Sequence, residues 1–261
     1  LRFLLGLFVG LLIVSFADDT FAQDDAQAFI RNEIERQKAR LNSSDVEERR
    51  DAVLRLGWIK TPESSRVAIA ALNDSADIVR ATATHAILSL PSDEATNYLL
   101  PLLNDKIELV RQEAAYALGK TQSQNAVAEL LIVLNNKKEF PSVRGAAAVA
   151  LGMIGDSSAN PSLIQALQEK KKPNAFVKRA AAHSLGQTYG NEAASLLIAI
   201  LSDEKDEPDV RREAAWALGA LREVSATAAL KTATNSNDPQ LAEQARQALK
   251  NIILENKKRQ K

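Results

Sequence analysis

Val110-Arg111-Gln112-Glu113-Ala114-Ala115-Tyr116-Ala117-Leu118-Gly119 returns almost letter for letter as Val210-Arg211-Arg212-Glu213-Ala214-Ala215-Trp216-Ala217-Leu218-Gly219. Looser copies run from Val143 to Gly152, from Val177 to Gly186 with Lys178 in place of arginine, from Val79 to Leu88, from Glu48 to Gly57 and from Leu241 to Lys250. Their last residues are 57, 88, 119, 152, 186, 219 and 250, a step of 31 to 34 residues. A supersecondary unit that recurs at this period cannot bury its apolar face alone and must lean on its neighbours. The fold class that follows is all-α, a right-handed α-solenoid of six to seven short modules.

Within the ten-residue phrase, numbered from zero and turned 100° per residue, positions 0, 4, 7 and 8 share one narrow arc. They hold Val, Ala, Ala and Leu, and position 5, most often alanine, lies beside them. Small residues there let neighbouring helices approach to the short end of the usual spacing. The glycine at position 9 is expected to close the helix in the left-handed conformation. Second helices are predicted near 62–72, 92–103, 123–134, 161–168, 190–201 and 224–232. Thr61-Pro62 and Asn160-Pro161 read as a capping side chain followed by proline at the first helical position. Pro101 falls late in its helix and should kink or shorten it.

The flanks differ from the array. Leu1 to Phe16 carries one positive charge before an apolar run too short to span a bilayer comfortably, the pattern of a secretory signal peptide. Cleavage fits after Ala17 or after Ala22, and Ala22 is preferred. The organisation read from the chain is a signal peptide at 1–22, an N-terminal capping helix at 23–44, the repeat array at 45–256 and a basic tail at 257–261. In the cap, Phe29, Ile30, Ile34 and Leu41 form the apolar stripe. Localisation is therefore expected to be exported, bacterial and periplasmic, with a membrane contact only if the N-terminal segment stays uncleaved.

The 33 basic residues equal the 33 acidic ones, so no net field draws in a polyanion and a nucleic-acid partner is not expected. Without cysteine there are no disulfides, thiolate chemistry or zinc–cysteine sites.

The phrase resembles the HEAT-repeat family, in the short HEAT-like variety of the phycobilin-lyase type. Val110 to Gly119 and Val210 to Gly219 carry its Val-Arg-x-x-Ala-Ala-x-Ala-Leu-Gly hallmark, with near matches from Val143 to Gly152 and from Val177 to Gly186. The resemblance covers nearly the whole mature chain and implies an α-α superhelix. It also implies a structural ladder in which Arg49, Arg80, Arg111, Arg144, Lys178 and Arg211 reach Asp74, Asp105, Asn136 and Asp203 at neighbouring turns. The last module departs from the pattern at Ala242 and Lys250, as terminal modules do. Some HEAT-like hydroxylases hold iron with repeated His-Glu pairs, but here His85 precedes Ala86 and His183 precedes Ser184.

Candidate chemistry is sparse. His85 and His183 lie three modules apart, on the order of 30 Å at roughly 10 Å per module, too far to share a metal. No nucleophile with a histidine and an acid beside it emerges, and no phosphate-binding glycine loop. No catalytic residue, metal or cofactor is expected. Position 6, at 240°, points away from the packed arc and holds Leu54, His85, Tyr116, Val149, His183, Trp216 and Gln247. Aromatic residues on an outward row mark binding hot spots, so Tyr116, His183 and Trp216 are candidate partner contacts. The other reading is that each ring lies over its own module's loop. Trp58 reads as a local plug, and Lys170-Lys171-Lys172 with Lys178 and Arg179 as a solvated loop or a patch for an acidic partner or a lipid head group. The function expected is an exported, non-enzymatic scaffold that binds another protein along an extended surface. The alternative is chromophore handling of the bilin-lyase kind.

Overall fold

The computed structural model describes residues 26–169 and 175–259, and the side chains among these up to residue 254. Residues 1–22, with the expected signal peptide, and Lys170 to Lys172 lie outside the described residues. Among the described residues there are fourteen α-helices and no strand. They divide into two units, one ending at Ser89 and the other beginning at Leu90.

The first unit holds α1 (26–40), α2 (Val46–Ile59), α3 (Pro62–Ala68) and α4 (Asp77–Ala86). Asp45 caps α2 by accepting the Glu47 N–H, and Glu47 and Glu48 put negative charge at the positive end of the helix dipole. Thr61 and Ser64 form a reciprocal capping box ahead of Pro62. In this unit α2 lies against α4. Ile34 is buried, whereas Phe29, expected in the cap's apolar stripe, is 71% exposed. Trp58 is not a plug, being 69% exposed. It occupies position 10 of its phrase, at about 280°, and so faces the same way as position 6.

The second unit alternates second helices with phrase helices. The second helices are α5 (Ser92–Leu99), α7 (Val127–Asn135), α9 (Asn160–Leu167), α11 (Ala194–Ser202) and α13 (Thr227–Ala233). The phrase helices are α6 (Glu108–Thr121), α8 (Pro141–Ile154), α10 (Ala175–Gln187), α12 (Pro208–Ala220) and α14 (Pro239–Arg259). Each phrase helix packs on the next, α6 on α8, α8 on α10, α10 on α12 and α12 on α14. The packed arc is where the period places it: Val110, Ala114, Ala117 and Leu118, and Val210, Ala214, Ala217 and Leu218, have no exposed surface. The helix before Pro101 is short, since α5 stops at Leu99 and a 3-10 turn follows from Leu100 to Asn104, but α3 gives way to a 3-10 turn from Ile69 to Asn73 without a proline there, so the break is shared by both modules.

Position 9 differs from expectation. Gly57, Gly119, Gly152, Gly186 and Gly219 lie inside right-handed helix, and left-handed residues come later, at Lys60, Gln122, Gly155, Tyr189 and Arg222. The glycines serve contact instead of termination. A Cβ on Gly119 would stand 2.7 Å from Cα of Ala150, and one on Gly219 would stand 2.6 Å from Cα of Ala248. The same holds for Gly57 against Ala86 and Gly186 against Ala217. Position 9 of one phrase therefore meets position 7 of the next, backbone to backbone.

Asn160 also differs, since it begins α9 rather than capping it. The cap is made one short 3-10 turn earlier by Asp156, which accepts the Ser158 N–H. The Asn160 amide is buried and its Oδ1 accepts the Thr188 hydroxyl at 2.5 Å, tying α9 to the end of α10.

Cationic rungs tie successive turns. The Arg49 guanidinium binds Asp74 through two bonds of 2.7 and 2.8 Å. Arg111 binds Glu139 through 2.9 and 2.8 Å bonds, Arg144 binds Glu169 at 3.1 and 2.5 Å, and Lys178 binds Asp206 at 2.8 and 2.9 Å. Asn136 and Asp203, expected as partners, instead accept the N–H groups of Lys138 and Lys205 and shape their own turns. Arg80 donates to the carbonyls of Asp74 and Ser75, and Arg211 to the carbonyl of Leu201. The Asp74 carboxyl is held below its ordinary value chiefly by the Arg49 guanidinium. Burial pushes Glu139 and Glu169 up, but their cationic partners outweigh it and both finish lowered.

Three outcomes follow from this packing. Gly119→Ala gains about 1 kcal/mol in helix propensity, yet the new Cβ has no room against Ala150. The net result expected is a loss of about 1–2 kcal/mol in urea unfolding, as for an overpacked core. The Asp74, Glu139 and Glu169 carboxylates have lowered folded pKa values, so their contribution is complete above about pH 4.5 and fades as pH falls through those values. Arg144 and Glu169 are 3% and 15% exposed at the side chain, and Arg144→Met should cost about 3 kcal/mol by leaving Glu169 poorly compensated. Melting curves at pH 7 and pH 4 should show the gap between the parent chain and Glu169→Gln narrowing at the lower pH.

Candidate partner-binding face

On the phrase helices of the second unit, position 6 is carried in order by Tyr116 on α6, Val149 on α8, His183 on α10 and Trp216 on α12. All four are half-buried. Helices held as close as the glycine contacts demand leave no space for a ring between them, and Trp216 lies across the neighbouring α10 instead. Trp216 lies flat on His183, ring centroids 4.0 Å apart with 13° between the planes. The other edge of the indole covers Gly186, where a Cβ would stand 2.6 Å from Cζ3. His183 Nδ1 pairs with Glu213 Oε2 at 2.9 Å, which fixes the imidazole plane from α12.

The structure thus brings His183 and Trp216 together and leaves Tyr116 separated from them by Val149. It also adds a residue that the row reading omits. Phe176, on α10, packs its ring directly on Gly145 of α8, and the Arg179 guanidinium sits 5.3 Å above the Phe176 centroid. The available signal was Gly145 itself, a glycine at position 2 of a helical phrase. The Tyr116 hydroxyl is pushed up, first by burial and then by Glu113, with Arg179 acting in the opposite direction.

Charged side chains surround these rings. Arg212 binds Asp238 at 2.8 Å and Asp209 at 2.6 Å, and Arg179 lies 4.0 Å from Asp209. Arg179, Asp209 and Arg212, together with Glu213, Gln240, Glu243 and Gln244, line a cleft of 430 Å³. Among the described residues, the Tyr116 hydroxyl, His183 Nε2 and Trp216 Nε1 have no hydrogen-bond partner. The face offers flat apolar area with polar tips inside an ion-paired rim, which is the composition of a binding hot spot. The ladder cations Arg49, Arg80, Arg111, Arg144, Lys178 and Arg211 belong to a different register, at position 1. Among the described residues no group of three or more His, Asp or Glu side chains is placed to hold a metal ion. Among them, too, no helix is long and apolar enough to cross a membrane.

Comparison with known proteins fits this architecture. HEAT repeats match at residues 65–139, 127–207 and 170–250. No curated protein matches the chain significantly. Among solved structures, the complex of CpcE and CpcF of phycocyanin lyase from Nostoc sp. PCC7120 is 26% identical, with a TM-score of 0.57 over 85% of this chain and 87% of that one. YibA of Escherichia coli is 19% identical, with a TM-score of 0.61 over 85% and 82% of the two chains. An engineered protein is 20% identical, with a TM-score of 0.52 over 84% and 68%. The repeated phrase, its helix-on-helix packing and the matched residues together place this chain in the HEAT-repeat family.

Proposed function

We propose that this chain is a non-catalytic scaffold, exported to the bacterial periplasm, that binds a partner protein through the position-6 face of its second unit. The observation that carries the reading is the stacked His183–Trp216 pair, half-buried and with its outer nitrogens unpaired among the described residues. An indole held flat against an imidazole that a carboxylate fixes in turn loses little side-chain freedom on binding, which is what makes such residues effective anchors. The charged rim around Arg179, Asp209 and Arg212 supplies electrostatic selection of the partner's orientation. Export rests on the apolar run from Leu1 to Phe16.

A second reading, chromophore handling of the phycobilin-lyase type, is favoured by the 26% identity to the phycocyanin lyase complex over most of both chains. The two separate cleanly. A bilin titrated into the full chain should leave its visible spectrum unchanged if the scaffold reading holds, and a red-shifted, saturable spectrum would replace it with the second.

The scaffold reading is tested by cross-linking capture from the envelope fraction, comparing the parent chain with Trp216→Ala and Tyr116→Ala. Loss of a central aromatic anchor is expected to reduce recovery of the cross-linked partner about tenfold or more. Unchanged recovery with both variants would overturn the assignment of this face. N-terminal sequencing of the envelope protein should begin at Asp18 or Gln23; retention of Phe3 to Phe16 would replace export with anchoring.

A further inference from the structure

The ladder contains its own template for a ligand. At Arg144 the guanidinium spends Nε on the Leu134 carbonyl at 2.8 Å and turns both terminal nitrogens to the Glu169 carboxylate. At Arg211 the first half of this arrangement recurs, since Nε donates to the Leu201 carbonyl at 3.2 Å, again ten residues earlier in the chain. The second half has no acid to complete it. The rungs at Arg49, Arg111, Arg144 and Lys178 take a carboxylate 25 or 28 residues further on. From Arg211 those positions are Ser236 and Pro239. Asp238, the nearby acid, is turned to other partners: its Oδ2 accepts Arg212 Nε, and its Oδ1 accepts the N–H groups of Gln240 and Leu241 at the start of α14.

Arg211 consequently presents Nη1 and Nη2, which meet no acceptor among the described residues, to a cleft of 640 Å³. Ser202, Thr232, Asn235, Ser236 and Asn237 line the cleft beside it. We infer that this cleft is a binding site for a carboxylate supplied from outside the chain, held by Arg211 in the two-bond geometry that Arg144 uses for Glu169. Planar, bidentate capture of a carboxylate is the interaction a guanidinium with both terminal nitrogens available makes best. Asn and Ser side chains around it can donate further hydrogen bonds. Glu204, which is exposed, and Asp238 lie in the same lining. Their charge opposes a bare anion and favours an acid with a cation next to it in sequence.

That pattern stands in this chain's own turn at Lys137-Lys138-Glu139. The ligand class is thus an acidic side chain in a peptide segment with neighbouring lysine or arginine, with a small dicarboxylate as the other source of the same chemistry. Only the peptide source depends on the scaffold reading. The site stands apart from the aromatic face, because position 1 and position 6 are about 140° apart around the helix.

The test uses the full chain and isothermal titration with four probes: an acetylated, amidated peptide of residues 135–141, the same peptide with Glu139→Gln, succinate and inorganic phosphate. The parent chain should bind the acidic peptide and be stabilised by it in thermal melts. The Glu139→Gln peptide should bind about tenfold or more weakly, as should the acidic peptide to an Arg211→Gln chain. Arg211→Gln should lower the melting temperature far less than Arg144→Gln, showing that the loss is not one of folding. Succinate binding as tightly as the peptide, and equally dependent on Arg211, keeps the carboxylate site and assigns it to a small ligand. Absence of binding by both peptide and succinate at millimolar concentration would overturn the site, as would peptide binding that survives Arg211→Gln or phosphate binding tighter than either carboxylate. Trp216→Ala should leave peptide affinity unchanged, so this site and the aromatic face stand or fall separately.

Discussion

The structure depends on one contact: the glycine at position 9 of a phrase against the position-7 backbone of the next. Gly57 meets Ala86 in the first unit, and Gly119 meets Ala150 and Gly219 meets Ala248 in the second. Distances of 2.6 to 3.1 Å from an imagined Cβ to a real Cα mean that no larger residue fits without moving a helix. Where position 7 is Ser184, Gly152 meets its side chain, and the Ser184 hydroxyl donates to the Ala148 carbonyl at 2.8 Å so that no buried hydroxyl is left unpaired. A glycine inside a helix costs about 1 kcal/mol relative to alanine. Dispersion and apolar burial across a whole helix face outweigh that, because the neighbours meet along their length rather than at a few long side chains.

The same closeness determines the rest of the surface. Alanine-lined helices at short separation cannot accommodate a ring in the seam, so rings are forced onto the outside and come to lie across the adjacent helix. Trp216 over Gly186 and Phe176 over Gly145 are two solutions of one steric problem, each using a glycine as the floor for an aromatic lid. A row that the period places outward is for this reason half-buried rather than free. Its residues are preorganised by packing and still present polar tips. Neither of the two sequence readings of position 6 is complete for His183 and Trp216: the two rings lie on each other across α10 and α12 rather than over their own loops, and they are half-buried rather than free in solvent.

Much of the architecture was legible in the sequence, because period and burial are both set by residue size. Val, Ala, Ala and Leu at positions 0, 4, 7 and 8 mark the packed arc. The glycines were harder, since one residue type serves two purposes, left-handed conformation and lack of volume. Position 9 looks terminal when read along the chain and turns out to be a contact across helices, three-dimensional information the phrase alone does not carry. Of the left-handed residues that do end helices, only Gly155 is a glycine among the described residues, and Lys60, Gln122, Tyr189 and Arg222 have no sequence signature that would single them out. Phe29 and Trp58 were misplaced because a helical stripe predicts a side only relative to neighbours whose positions are not yet known.

The ladder shows how turn length decides which acid is used. Where modules are spaced by 31 residues the turn is short, and Asp74 both accepts the Ala76 N–H and binds Arg49. Where the spacing rises to 33, two more residues enter the turn, and the first polar residue can no longer do both. Asn136 and Asp203 keep the turn-forming hydrogen bond, while Glu139 and Asp206, three residues later, take the cation. The position of the positive charge is invariant and the acid is found locally, because a guanidinium in the half-buried seam must be neutralised wherever the turn allows. At the final rung the turn through Ser236 and Asn237 is committed to starting α14, and Asp238 is drawn to Arg212. The end of the ladder therefore keeps an oriented cation whose geometry is set by the chain and whose counter-charge is not.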